Sequence, residues 1–342
     1  MKLRSLLLAT LWLLLCGCQG ETQKIGDYQM QSGAGISMVE IQEDDCYLVE
    51  DSGIIYRLDW ETGEREMYLR GPEHVDWVAD PSLSRLYYLR DGILYRMDKQ
   101  GDETPLCAVR DGMLLGVTEH YALIRCGIYD TETASTINCV DLETLQFSED
   151  LRLSEDQQFA CLLAQEGDTV YLMTYNPSRI RAYTQVEAWD LASEESRILA
   201  AYEHKILVPS NAGIQYADCG ALVNEKIYYF DYTNAALYAV ETGGTAPAEQ
   251  CAMTGAKRHK AMMISENGRC LAVLTQIGNA YKSSAWAIYT YDLQMDTVSG
   301  IALQEACTDV YAVASDPSRF VALVALKGQK KLIWGPLRCE SA

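Results

Sequence analysis

Short apolar runs separated by turn residues dominate the chain. Residues 47–59 (YLVEDSGIIYRLD) and 88–98 (YLRDGILYRMD) each contain two apolar runs joined by a tight glycine turn. Asp-Gly between alternating apolar stretches is a strong hairpin signal, because glycine tolerates a positive φ. Helical periodicity is nearly absent after the first twenty residues, and Tyr alone occurs 22 times. The pattern therefore predicts an all-β protein.

The second apolar run of this unit recurs along the chain, and an acidic residue ends it each time. The acidic residues are Asp59, Asp98, Asp141, Asp190, Glu241 and Asp292. They are spaced 39, 43, 49, 51 and 51 residues apart. A propeller blade of four antiparallel strands takes roughly 40–50 residues, so the spacing favours a β-propeller.

Six repeats are clear, and a seventh at about residues 306–338 lacks an outer strand of its own. We predict seven four-stranded blades, with eight as the alternative. The segment around residues 26–31 is the natural donor of the missing strand, since closure of the ring removes two exposed sheet edges.

One stretch of the chain is similar to a known type of repeat. Residues 264–273 (ISENGRCLAV), followed by 288–293 (IYTYDL), resemble the repeat of TolB-like and WD40-like β-propellers. Residues 316–323 (DPSRFVAL) resemble a weaker copy. The resemblance covers most of residues 36–340 and implies an architecture, but it carries no activity with it.

The N-terminal residues are typical of an export signal. Lys2 and Arg4 precede an apolar run at residues 6–15, which is shorter than the ~20 residues needed to cross a bilayer. The following Leu15-Cys16-Gly17-Cys18 resembles a bacterial lipobox, which implies that Cys18 is lipidated. We expect a lipoprotein signal peptide at 1–17, and a tether at 18–35 that starts at the lipidated Cys18 and includes a possible closing strand. The β-propeller would occupy 36–342. An ordinary secretory signal is the alternative.

Composition restricts the partners. The 342 residues include 28 Lys plus Arg and 48 Asp plus Glu, which gives a net charge of −20. A chain this acidic is a poor general binder of nucleic acid or of anionic surfaces. We therefore expect no nucleic-acid partner. From the N-terminal segment we expect attachment to the cell membrane through lipid and a location outside the cytoplasm. We further expect a monomer.

Twelve cysteines are present, without a Cys-x-x-Cys pair. Ten remain when Cys16 and Cys18 are set aside, and several lie in apolar strands, where cysteine serves as a small buried hydrophobe. Cys126 and Cys139 flank a predicted hairpin and could face each other. The sequence leaves open whether the cysteines form disulfides or remain thiols.

Recognisable catalytic motifs are missing from the sequence. It has no Gly-x-Ser-x-Gly, no His-Glu-x-x-His, no Walker loop and no dinucleotide fingerprint. The histidines His74, His120, His204 and His259 are isolated, and we interpret them as structural or surface residues. We predict no cofactor, no metal and no catalytic residue.

The loops between the second and third strands of three blades are long and rich in Tyr, at residues 127–133, 175–183 and 278–284. All loops of this kind emerge on one face of a propeller, and Tyr and Arg are enriched at binding hot spots. We therefore place a partner-binding surface on the following residues: Tyr129, Tyr175, Arg179, Arg181, Tyr183, Tyr281 and Lys282.

Together these features favour a membrane-anchored extracytoplasmic lipoprotein that binds an envelope protein or an extracellular ligand. The alternative is a propeller enzyme that acts on envelope or extracellular glycans through the central channel.

Overall fold

The structure is a computed structural model, and it describes the chain in segments. These are residues 23–25, 28–42, 45–72, 77–80, 82–109, 112–126, 136–147, 158–176, 184–206, 220–231, 236–244, 249–251, 264–266, 270–277, 285–292, 297–302, 307–315 and 318–336. All regular elements in these segments are β-strands. No helix in them is long and apolar enough to cross a membrane.

The strands follow one another at short intervals. In chain order they are β1 (Gln23–Ile25), β2 (Tyr28–Ser32), β3 (Ile36–Gln42), β4 (Asp45–Glu50), β5 (Ile54–Leu58), β6 (Arg65–Arg70), β7 (Trp77–Ala79), β8 (Arg85–Arg90), β9 (Ile93–Asp98), β10 (Glu103–Ala108), β11 (Gly112–Val117), β12 (Tyr121–Cys126), β13 (Thr136–Asp141), β14 (Gln158–Glu166), β15 (Thr169–Tyr175), β16 (Thr184–Asp190), β17 (Glu195–Tyr202), β18 (Gly220–Val223), β19 (Lys226–Asp231), β20 (Ala236–Glu241), β21 (Glu249–Cys251), β22 (Ile264–Glu266), β23 (Cys270–Ile277), β24 (Ala285–Asp292), β25 (Thr297–Ala302), β26 (Cys307–Ser315), β27 (Arg319–Leu326) and β28 (Gln329–Pro336).

The strands assemble into antiparallel sheets of consecutive strands, as in a β-propeller. Within the described segments, six blades have three or four strands each: β3–β6, β7–β10, β11–β13, β14–β17, β18–β21 and β22–β25. The remaining sheet has five strands in the order β1-β2-β28-β27-β26 and combines both ends of the chain. The prediction of seven four-stranded blades, with eight as the alternative, is therefore wrong. The repeat marks the central hairpin of each blade, but it does not determine how many outer strands the hairpin acquires.

The terminal sheet closes the ring. Strand β2 pairs with β28, with Gln29 opposite Trp334 and Ser32 opposite Lys331. The segment at residues 26–31, in which we expected the closing strand, overlaps β2. Strand β1, which has three residues, pairs antiparallel with β2 and is the outermost strand of the sheet.

Neighbouring sheets pack through their apolar faces. Leu123 and Cys139 of one blade lie in one cluster with Leu172 and Trp189 of the next. The terminal sheet joins β3–β5 in the same way, through a cluster that contains Leu48 and Trp334. These contacts bury the apolar residues that the alternating pattern supplies, and burial of such side chains stabilises the ring.

Antiparallel alternation gives the disc two distinct faces. Turns between second and third strands, at residues 51–53, 91–92 and 327–328, lie on what we call the upper face. A fourth strand ends on the same face, so the connection to the next blade also begins there. Turns between first and second strands and between third and fourth strands lie on the lower face.

The described cysteines serve as core residues. Cys46, Cys139, Cys161 and Cys307 are buried thiols, and Cys107 is a half-buried thiol. Cys139 lies opposite Leu123 in the β12–β13 hairpin, whereas Cys126 lies opposite Thr136. The suggested pairing of Cys126 with Cys139 is therefore wrong, because the register separates the two residues along the hairpin.

Candidate functional site

A cluster of polar and aromatic side chains occupies the upper face where blade β14–β17 meets blade β18–β21. The end of β15, the start of β16, the residues that follow β17 and the end of β19 contribute to it. We call this cluster the junction site, and its members are Tyr175, Asn176, Thr184, Tyr202, His204, Lys205, Tyr229 and Asp231.

Buried polar side chains are concentrated in and beside the junction site. Of the eight buried polar or charged residues in the described segments, five lie on β15, β16 and β19 or directly after them: Thr174, Asn176, Thr184, Glu187 and Asp231. An unsatisfied buried polar group destabilises a fold by about 1–3 kcal/mol, so such groups are kept where hydrogen bonds hold them. The concentration distinguishes this region from the apolar interior of the other blades.

Hydrogen bonds fix the backbone that carries His204. The hydroxyl of Thr184 donates to the carbonyl oxygen of His204 (2.9 Å) and accepts from the backbone N–H of Ile206 (3.1 Å). Deeper in the blade, the carboxylate of Glu187 accepts from the Thr174 hydroxyl (2.6 Å) and from Nε1 of Trp189 (3.0 Å). The bonds from Thr184 hold the residues after β17 in place although these residues belong to no strand.

Tyr202 and Tyr229, together with the neighbouring Tyr238 of β20, form the floor of the junction site. The hydroxyls of Tyr202 and Tyr229 are hydrogen-bonded to each other, and the ring of Tyr229 stacks on that of Tyr238 with 5.8 Å between centroids. Burial raises the pKa of Tyr202 to about 12 and raises the pKa of Tyr229 further. Both phenols therefore stay protonated at neutral pH and remain hydrogen-bond donors.

Charged and ionisable groups border this floor. Nε2 of His204 lies 3.9 Å from Oδ2 of Asp231; the His204 side chain is 45% exposed, whereas that of Asp231 is fully buried. The ring of His204 packs edge-on against Tyr202 at 5.8 Å. Nζ of Lys205 lies 4.9 Å from the centre of the Tyr175 ring, within the range of a cation–π contact. The site thus presents an imidazole, an ammonium and aromatic faces to a ligand.

Tyr175 is the one member of the predicted partner-binding set that the described segments contain, and it lies in the junction site. The other predicted residues lie outside those segments: Cys18, Tyr129, Arg179, Arg181, Tyr183, Tyr281 and Lys282. The histidines His74 and His259 lie outside them as well.

The sequence assigned His204 to the structural or surface histidines, and it gave no role to Lys205 or Asp231. His204 and Lys205 follow a fourth strand, whose end shares the upper face, and Asp231 ends the second strand β19, whose following turn is not among the three long ones. The run of Tyr202, Glu203, His204 and Lys205, which begins at the last residue of β17, was the available signal. For metals, the described segments contain no group of three His, Cys, Asp or Glu side chains close enough to hold an ion.

Comparison with known proteins places the chain by its fold alone. No protein-family model matches the chain, and no curated protein is significantly similar to it in sequence. An oligogalacturonate lyase in complex with manganese is 13% identical, with a TM-score of 0.61 over 93% of this chain and 96% of the other. The oligogalacturonate lyase of Vibrio parahaemolyticus is 11% identical, with a TM-score of 0.61 over 94% and 97%.

A putative TolB from Agrobacterium tumefaciens is 11% identical over 84% of this chain and 98% of the other, with a TM-score of 0.46. Identities this low leave the activity open and concern only the arrangement of the strands. The β-propeller architecture expected from the repeat is confirmed: the chain folds as an all-β propeller.

Proposed function

We propose that the protein is a lipid-anchored extracytoplasmic β-propeller that binds a partner through the junction site on its upper face. The concentration of buried, hydrogen-bonded polar residues beneath Tyr175, His204 and Lys205 carries this proposal. Such groups are retained in a core where they hold exposed side chains in a fixed geometry, and preorganisation lowers the entropic cost of binding.

The chemistry of the exposed residues suits a protein or glycan surface. Tyr offers a rigid amphipathic face, and it is enriched at interface hot spots together with Arg and Trp. Lys205 adds a donor beside the ring of Tyr175, and His204 adds an ionisable ring beside Tyr202. The neighbouring loop residues Arg179, Arg181 and Tyr183 follow Tyr175 in the sequence, and we include them in the proposed surface.

The test is a crosslinking pull-down from native membranes with the intact lipoprotein as bait. Three variants accompany it. One is Y175A/H204A/K205A, the second replaces Tyr175, Arg179, Arg181, Tyr183 and Tyr281 with Ala, and the third is the lower-face control Q100A/E119A/E143A. We expect the first two to lose about tenfold or more of the captured partner, since truncating a hot-spot residue costs about 2 kcal/mol. Equal capture by all variants would reject the site.

The anchor is tested separately by mass spectrometry of the N-terminus of the membrane-extracted protein. A diacylglyceryl group on Cys18 is the expected result. An unmodified N-terminus beyond Cys18 would reject the lipid anchor. The pull-down would still test the proposed binding site independently.

One observation favours an enzyme as the second candidate. His204 is exposed beside the buried carboxylate of Asp231, and an imidazole near an orienting carboxylate is a common general base. Because two solved structures of the same fold are oligogalacturonate lyases, oligogalacturonate is the first glycan to assay. Cleavage that disappears in H204Q would favour the enzyme, whereas partner capture without cleavage by the intact protein would favour the binding module.

A further inference from the structure

Two exposed apolar residues lie two positions apart after strand β13, at the lower outer edge of blade β11–β13. Leu145 is 36% exposed and Phe147 is 45% exposed, and we call them the apolar pair. The backbone of Phe147 pairs with Val140 of β13 through an isolated bridge. Exposed apolar residues are common on protein surfaces, so exposure alone does not mark a binding site.

The turn that carries Leu145 has the same hydrogen bonds as the turn after β5. The carbonyl oxygen of Asp141 accepts from the backbone N–H of Leu145 (2.8 Å), as that of Asp59 accepts from the N–H of Gly63 (2.9 Å). Oδ1 of each aspartate also accepts from the N–H groups two and three residues further on. The two turns therefore place Leu145 and Gly63 in equivalent positions.

Glycine suits this position better than leucine. Gly63 has a φ of 74° and Leu145 a φ of 58°, which is the left-handed region in which a Cβ crowds the backbone. Leu83 also lies in this region (φ 50°), but it is buried in the apolar cluster between blades β3–β6 and β7–β10. In the corresponding turn of blade β14–β17 the residue is the polar Glu194, with a φ of 59°. Leu145 thus combines an unfavourable backbone conformation with an apolar side chain that is far less buried than that of Leu83.

Phe147 lies beside an existing apolar cluster. Its bridge partner Val140 is buried in the cluster between blades β7–β10 and β11–β13, against which the half-buried Leu106, Cys107 and Leu142 also pack. Residues directly opposite each other in an antiparallel pair have their side chains on the same face. An apolar side chain of a partner placed against Phe147 would therefore extend this cluster.

Exposed carboxylates are abundant on this part of the lower face. A hydrogen bond from the N–H of Leu142 to the carbonyl oxygen of His120 (2.7 Å) holds together the two lower-face turns of the blade. These turns expose Glu119 and Glu143. The adjoining lower-face turns of the next blade expose three more acidic residues: Glu166, Glu194 and Glu195.

Basic side chains on the same part of the face are paired or balanced. Nδ1 of His120 lies 2.9 Å from Oδ2 of Asp168, and the guanidinium of Arg197 donates to the carbonyl oxygen of Thr242 in the following blade. In blade β7–β10, three acidic and three basic residues occur together near the lower face: Asp80, Asp98, Asp102, Arg85, Arg96 and Lys99. The surface around the apolar pair is therefore acidic.

We propose that the apolar pair is a docking surface for a basic amphipathic segment of another protein. The apolar side chains of such a segment pack against Leu145 and Phe147, and its lysines or arginines face the surrounding glutamates. The pair lies on the lower face, whereas the junction site lies on the upper face. The inference therefore goes beyond the proposed function and does not depend on it.

Fluorescence anisotropy with a dye-labelled amphipathic peptide of leucine and lysine tests the surface. We expect saturable binding that L145G/F147T weakens about tenfold or more, because truncation of central interface residues has effects of this size. The control M67T/I198T removes two other exposed apolar side chains, on β6 and β17, and should keep the affinity. A peptide of leucine and glutamate should bind far more weakly than the lysine peptide. Equal weakening by both variants, or equal binding of the two peptides, would overturn the inference.

The single variant L145G separates docking from a structural role. Because the turn favours glycine at this position, we expect L145G to raise the melting temperature by about 2 °C and at the same time to weaken peptide binding. A leucine kept for the stability of the fold would give the opposite shift. A lower melting temperature, or an unchanged affinity, would contradict the docking role.

Other occupants of the apolar pair give different results. If a second copy of the chain covers it, the protein sediments as a dimer that L145G/F147T dissociates; if another part of the same chain covers it, the lysine peptide does not bind. Either result would overturn the proposed partner. In the pull-down from native membranes, a protein lost only with Q100A/E119A/E143A belongs to this surface, whereas one lost with Y175A/H204A/K205A belongs to the junction site.

Discussion

The acidic residue that ends a repeat is a turn cap in four of the blades. Oδ1 of Asp59 accepts hydrogen bonds from the backbone N–H groups of Glu61 and Thr62 at 3.0 and 2.7 Å. Asp98, Asp141 and Asp190 make equivalent bonds to the turns that follow them. A carboxylate at this position satisfies backbone donors that no strand reaches. The periodic acid thus reflects the lower-face turns rather than a binding function.

Replacing one cap should cost stability without changing the fold. Oδ1 of Asp190 accepts from the N–H groups of Ala192 (3.1 Å) and Ser193 (2.9 Å). We expect D190A to lower the free energy of unfolding by about 1 kcal/mol, which corresponds to a melting temperature about 2–4 °C lower. D190N keeps an acceptor and should lose less. Equal melting of D190A and the parent protein would contradict the capping role.

The caps also predict an acid response. Hydrogen bonds to Thr144 and Ser193 lower the pKa of Asp141 and Asp190. A group with a lowered folded-state pKa stabilises the protein fully above its unfolded pKa of about 4 and loses the contribution as the pH falls through the folded value. As the pH is lowered from 5, the melting temperature should therefore decrease less in D190A than in the parent protein.

At the scale of elements, His120 links two blades on the lower face. Its Nδ1 lies 2.9 Å from Oδ2 of Asp168, and the Thr118 hydroxyl donates to Oδ1 of the same carboxylate (2.9 Å). The hydrogen bond from Asp168 raises the pKa of His120, with smaller contributions from Glu119 and Asp141. The pairing joins the β11–β12 turn to the β14–β15 turn.

This link should make stability depend on pH near neutrality. Because the folded pKa of His120 is raised, its contribution is complete below the unfolded pKa of about 6.5 and is lost as the pH rises through the folded value. H120Q should therefore have a lower melting temperature than the parent at pH 6, and the difference in melting temperature should be smaller at pH 9. Differential scanning calorimetry at both values measures this difference. If the difference in melting temperature between H120Q and the parent is the same at both pH values, the charge on His120 does not contribute to stability.

The connection between β2 and β3 depends on a glycine. A Cβ at Gly33 would lie 2.7 Å from Cδ1 of Leu323 and 2.8 Å from the backbone carbon of Lys331. We expect G33A to lower the free energy of unfolding by about 1–3 kcal/mol, because a packed backbone must shift. Gly243 has nothing within 4 Å of the corresponding position, so G243A is the matched control. Similar melting of the two variants would show that the closing connection tolerates a side chain.

At the scale of the whole molecule, the reactivity of the buried cysteines measures how readily the packed blades open. Cys46, Cys139 and Cys161 are buried in apolar clusters, Cys307 is buried as well, and Cys107 is half-buried. Burial also raises the pKa of the Cys107 thiol, which slows its reaction near neutral pH, since the thiolate is the nucleophile.

Brief alkylation of the native protein followed by peptide mass spectrometry should modify Cys107 before the four buried cysteines. All five should react together in denaturant. Early modification of Cys139 or Cys161 in the native protein would mean that the blades separate far more readily than their packing implies.

Local alternation and the Gly turns were sufficient to predict strands, hairpins and the propeller class, because each central hairpin depends on neighbours in the sequence. The spacing of Asp59, Asp98 and Asp141 located the blades for the same reason. In the junction site, Tyr175 was predictable from its loop. His204, Lys205 and Asp231 were not, because they lie 29, 30 and 56 positions after Tyr175 and join it only through the pairing of β15–β17 and the packing of two blades.

What the sequence determined by itself was thus the class of fold, the position of each central hairpin and an acidic surface. Tertiary structure alone decided the number of strands in each sheet, since outer strands form wherever an open edge finds a partner. It also decided the register that keeps Cys139 apart from Cys126 and the pairing of β2 with β28. The latter joins residues about 300 positions apart, and closing the ring satisfies edges that no local pattern encodes.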